Sequence, residues 1–70
     1  MPKSTEQILT LVAAGASVEV SGKSIEQLVT IATACRAAGA TMRIDSEGKS
    51  TEGLLTVLRA GGGCVTLAGL

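Results

Sequence analysis

The sequence predicts an α/β fold of three helix-strand repeats in the order αβαβαβ: a small parallel three-stranded sheet with its helices on one face, laid out like a short solenoid. Three observations predict it. The tetrapeptide Lys-Ser-x-Glu recurs at 3–6, 23–26 and 49–52. Each occurrence opens an apolar phrase with helical spacing, QILTLVAAG, QLVTIATACRAAG and GLLTVLRAGG. Each of these runs through Gly into a phrase that alternates apolar and polar residues, ASVEVSG, ATMRIDSEG and GCVTLAG. The repeats then span about 3–22, 23–48 and 49–70, so residues 1–70 read as a single domain with no linker.

The first helix starts at Ser4, whose hydroxyl suits an N-cap, with Gln7 three residues on to complete a capping box and Glu6 placed favourably in the helix dipole. Ile8, Leu9, Leu11 and Val12 supply its buried stripe, and Gly15 ends it in the left-handed conformation that Gly adopts cheaply. The first strand directs Val18 and Val20 at the helices and Ser17, Glu19 and Ser21 away. The second helix repeats the start with Ser24, Glu26 and Gln27, buries Leu28, Val29, Ile31, Ala32 and Cys35, and stops at Gly39. In the second strand Met42 and Ile44 point in, while Thr41, Arg43 and Asp45 point out. The third helix opens with Ser50 and Glu52, although Gly53 stands where the other helices carry Gln. It buries Leu54, Leu55, Val57 and Leu58 and stops at Gly61; Val65 and Leu67 of the last strand then face in, with Cys64 and Thr66 facing out. Strands joined through one helix are parallel, and right-handed crossovers place all three helices on the same face with strand order 1-2-3.

Composition removes several function classes. Six basic residues balance six acidic ones, and there is no His and no aromatic residue. Without aromatics there is no stacking platform for bases, and without net charge no general attraction to phosphate backbones, so no nucleic-acid partner is expected. Two cysteines 29 positions apart, with no His, lack half the ligands of a structural zinc site, and no metal or cofactor is expected. Cys35 and Cys64 read as small buried hydrophobes. Charged residues interrupt every apolar stretch before it reaches the length of a membrane span, and the start MPKSTEQ has no apolar signal core, so no membrane association and a cytoplasmic location are expected.

Candidate sites follow from the layout. Gly-Lys-Ser stands between strand and helix at 22–24 and 48–50, but Ser17 and Arg43 occupy the places of the first Gly of a Walker A loop. What the spacing retains is a shared edge of helix N-termini with Lys3, Lys23, Ser24, Lys49 and Ser50, a possible seat for a small anion. Pro2 follows the initiator Met, but it leads into a helix cap and has no aromatic or Arg pocket, so it reads as the approach to the first helix rather than a catalytic amine. Asp45 and Glu47 share a Gly-ended turn and read as turn chemistry. With no His and no paired nucleophile and base, no catalytic residues are assigned and the chain is not expected to be an enzyme.

On the outward sheet face Glu19, Arg43 and Thr66 fall in one row, with Glu19 and Arg43 placed for a cross-strand ion pair. The last strand, with Val65, Thr66, Leu67 and Leu70, forms an uncharged apolar edge of a kind that proteins usually protect. A sheet covered on one face and a core this thin point to a homo-oligomer, a dimer first, with another protein as a possible partner. The leading expectation is a non-enzymatic interaction or self-assembly module; a binder of small anions at the helix N-termini is the alternative. In period, and in having one helix and one strand per unit, the chain is similar to short αβ repeat architectures such as leucine-rich repeats. It carries no LxxLxLxxN signature, so that likeness is one of architecture.

Overall fold

The computed structural model describes residues 4–46 and 48–69, and each serine of the recurring tetrapeptide caps a helix there. Ser4, Ser24 and Ser50 accept hydrogen bonds from the backbone N–H of Gln7, Gln27 and Gly53 at 3.2, 3.3 and 3.0 Å. Gln7 and Gln27 return the bond, their side-chain oxygens accepting from the N–H of Ser4 and Ser24 at 3.1 and 3.0 Å. Gly53 has no side chain to return, so the third cap is one-sided. The helices so started are α1 (Thr5–Ala13), α2 (Ile25–Ala38) and α3 (Thr51–Gly61).

Between and after them run β1 (Val18–Val20), β2 (Met42–Asp45) and β3 (Val65–Ala68). They form one parallel sheet in the order β1-β2-β3, with Val18 opposite Met42 and Met42 opposite Val65. The alternation sorts the two faces. Val20, Met42 and Ile44 are buried together with Ile8, Val12, Leu28, Ile31, Leu54 and Val57 of the helices. Glu19, Arg43, Asp45 and Thr66 are exposed on the opposite side. The fold is therefore α/β, with three helices and a three-stranded parallel sheet.

Helix ends follow the expected Gly signals at Gly15 (φ 92°) and Gly39 (φ 70°). The third differs. Gly61 does not stop α3: it stays right-handed, at φ −94° and ψ −17°, and the positive φ passes to Gly62. Close packing explains why. A Cβ on Gly61 would stand 2.5 Å from Val65 Cγ2 and 3.0 Å from Ala32 Cβ, so the missing side chain lets α3 press onto α2 and onto the start of β3. Gly62–Cys64 then form a turn of 3-10 helix. Cys64, expected on the strand and facing outward, is in that turn, half-buried and packed against the core.

Leu11 and Leu55, which the helical spacing predicts to be buried, are instead 44% and 43% exposed. Ser46 is buried at the end of β2, where its N–H and its hydroxyl both donate to the carbonyl of Ala68. It thereby ties the end of β2 to the end of β3.

Candidate interaction surface

The outward sheet face is built by period two alone, which puts Glu19, Arg43 and Thr66 at matching positions of neighbouring strands. Glu19 and Arg43 stand side by side, but no ion pair closes between them among the described residues. In the open the Coulomb gain of such a pair is small against full hydration of both groups. At the start of the strands the hydroxyl of Thr41 donates to that of Ser17 at 2.8 Å, a second link between β1 and β2. Beside it a shallow groove of about 360 Å³ is lined by Ser17, Glu19, Thr41, Arg43 and Thr66. At the other end of the strands a groove of about 470 Å³ runs between Glu19, Ser21, Arg43, Asp45 and Gly69. Both are open and shallow, with Val18 and Met42 also lining the first and Val20, Ile44 and Ala68 the second, and both are suited to a surface rather than to an enclosed small molecule.

The two sides of the sheet differ from its face. At β1, a groove of about 270 Å³ is lined by Ile8, Leu11, Val18 and Val20 together with the polar Glu19, Ser21 and Lys23. At β3, Val65 and Leu67 are half-buried against the core, whereas their counterparts Met42 and Ile44 in the central strand are both 1% exposed. Both edge strands have one side without a neighbouring strand in this sheet.

At the shared edge of helix N-termini, the hydroxyls of Ser24 and Ser50 are engaged in capping their own helices. Lys23 and Lys49 are half-buried beside them, and Glu26 and Glu52 occupy the first turns. Lys3, Glu47 and Leu70 lie outside the described residues. Cys35 and Cys64, far apart in sequence, are both free thiols. Burial pushes the Cys35 thiol above its ordinary value of 9.0, and the neighbouring Cys64 adds to the effect. Cys35 is thus protonated at neutral pH and behaves as part of the core.

Among the described residues no group of three or more His, Cys, Asp and Glu is placed to hold a metal ion, and no helix is long and apolar enough to cross a membrane. Comparison with protein-family models, with curated proteins and with solved structures finds no match to this chain. The surface features that reasoning from sequence missed are Leu11 and Leu55. Alignment of the recurring units held the signal for both, because it shows which positions depend on a neighbouring helix for cover.

Proposed function

We propose that this chain is a non-enzymatic interaction module of three αβ repeats, which associates with copies of itself through the sides of its sheet. The observation that carries this reading is a parallel sheet covered by helices on one face only, with both edges open and apolar residues half-buried along them. Parallel sheets are ordinarily shielded on both faces, and bare edges are ordinarily blunted by charge, Pro or a covering segment. The edge strands here carry Glu19 as their one charge. A chain of 70 residues also buries too little apolar surface to leave its flanks wet without loss of stability. The polar face, with the row Glu19, Arg43 and Thr66, then remains free for another protein.

Light scattering after size exclusion, at two concentrations about tenfold apart, tests the reading. The expected result is a mass above the 7.0 kDa of one chain that rises with concentration. A constant mass of one chain at both concentrations would overturn it.

A further inference from the structure

The open sides of this molecule match one another by sequence in the same way as the helix pairs already buried inside it. Contacts at two glycines define the inner pairing. Ile25 of α2 lies where a Cβ on Gly53 would be, at 2.9 Å, and Ala32 of α2 lies 3.0 Å from a Cβ on Gly61. The stripe 25, 29, 32 of α2 therefore faces the stripe 53, 57, 61 of α3, both with helical spacing. Val57, at the centre of the second stripe, is fully buried.

Aligning the helices on their capping serines carries these stripes to the outer helices. Stripe 53, 57, 61 becomes Gln7 and Leu11 on α1 and Gly15 just past its end, the flank with no helix beside it. Stripe 25, 29, 32 becomes Thr51, Leu55 and Leu58 on α3, the opposite flank. The exposures follow from this. Ile31 of α2 and Val57 of α3 hold the position of Leu11 and are 0% exposed; Leu11, with no helix before it, is 44% exposed. Leu9 and Val29 hold the position of Leu55 and are half-buried against the core, whereas Leu55, with no helix after it, is 43% exposed. The two exposed large hydrophobics among the described residues are thus the two places where the series of helices is interrupted.

We infer that the occupant of each flank is a second copy of this chain, joined head to tail, with α3 and β3 of one copy against α1 and β1 of the next. The inference rests on the interaction-module reading and specifies its partner and geometry. The new contact continues the α1–α2 and α2–α3 interfaces. Leu55 and Leu58 lie against Leu11 of the second copy, and the groove of about 270 Å³ beside Leu11, Val18 and Val20 receives them. The strand register extends in the same way: Met42 is opposite Val65 inside the chain, and Val65 comes opposite Val18 of the second copy. Such a joint uses two different surfaces, so it is heterologous and repeats from copy to copy until a ring closes or a filament grows.

Leu11→Lys and Leu55→Lys each place a charge on one flank, at positions exposed enough to leave the monomer folded; circular dichroism verifies the fold, with Leu11→Ser and Leu55→Ser as milder substitutes. By light scattering, the wild type is expected to grow in mass with concentration, while each variant alone stays at the mass of one chain. An equimolar mixture of the two variants is expected to double in mass, because the intact flank of one fits the intact flank of the other. If the wild type associates but the mixture does not pair, or if a variant alone associates as the wild type does, the head-to-tail geometry is overturned and the module reading stands. A wild type that stays a single chain at every concentration overturns both.

Discussion

At the scale of single residues, two glycines in α3, one near each end of the helix, are opposite in consequence. A Cβ on Gly61 would meet Val65 Cγ2 at 2.5 Å and Ala32 Cβ at 3.0 Å, atoms anchored close to the backbone of β3 and α2. A Cβ on Gly53 would meet Ile25 Cδ1 at 2.9 Å and Cγ1 at 3.0 Å, on a side chain that can turn away, and the capping hydroxyl of Ser50 at 3.1 Å. Replacing a helical Gly by Ala gains up to about 1 kcal/mol in helix propensity, whereas forcing a methyl into a closed contact costs about 1–3 kcal/mol. Gly61→Ala is therefore expected to lower stability by about 1–2 kcal/mol, while Gly53→Ala is neutral or stabilising by a few tenths. Urea denaturation of both variants checks this, and equal midpoints for the two would refute the packing role assigned to Gly61. Ser46 shows a different limit. A serine in the turn after a strand reads as solvated, and only the arrival of Ala68 from 22 positions away turns it into a buried tie between two strands.

At the scale of elements, the parts written locally were legible in the sequence and the parts that depend on neighbours were not. Capping boxes need residues three apart, so Ser4 with Gln7 and Ser24 with Gln27 could be read directly, as could the one-sided cap at Ser50. Strand faces need only alternation, and Met42 and Ile44 fell inside while Arg43 and Asp45 fell outside. The exposure of Leu11 and Leu55 depends on which helix is first and which is last, and periodicity within one helix carries no such information. The end of α3 was misplaced because three consecutive glycines, 61 to 63, could each take the positive φ; contact with Ala32 and Val65, outside the local sequence, passed it to Gly62. The candidate surface was legible to the same extent: the row Glu19, Arg43 and Thr66 came from alternation, but its open grooves came only with the three strands together. Because the cap of α2 is local, its energy is separable. Ser24→Ala removes the acceptor for the Gln27 N–H and is expected to cost about 1 kcal/mol, whereas Ser24→Asp, which keeps an acceptor there, is expected to retain most of the stability. Thermal unfolding of the two variants measures the difference, and an equal loss in both would mean that the cap does not hold α2.

At the scale of the whole molecule, a thin core and open flanks mean that the proposed self-association would tie stability to concentration. The core is aliphatic throughout, with no aromatic side chain to enlarge it. Its central layer, around Ile31, Ala32, Cys35, Met42 and Ile44, is closed, while the outer units leave Val18, Val65 and Leu67 half-buried and Leu11 and Leu55 exposed. In the proposed head-to-tail assembly, a second copy on either flank would bury surface that only the folded chain presents in the right arrangement. Association as proposed would stabilise the native state by mass action, with a stabilisation that grows with the logarithm of the protein concentration once the dissociation constant is passed. A tenfold rise in concentration above that point adds about 1.4 kcal/mol for each joint saturated, which for a domain of this size corresponds to about 5–10 °C in the unfolding midpoint. The expected outcome is a wild-type midpoint that climbs over such a series, beside a Leu11→Lys variant whose midpoint stays level. Calorimetric scans at matched concentrations read both. A level wild-type midpoint at concentrations where scattering reports assembly would mean that the copies meet through surfaces the unfolded chain offers equally well, and the folded flanks would then have no part in the association.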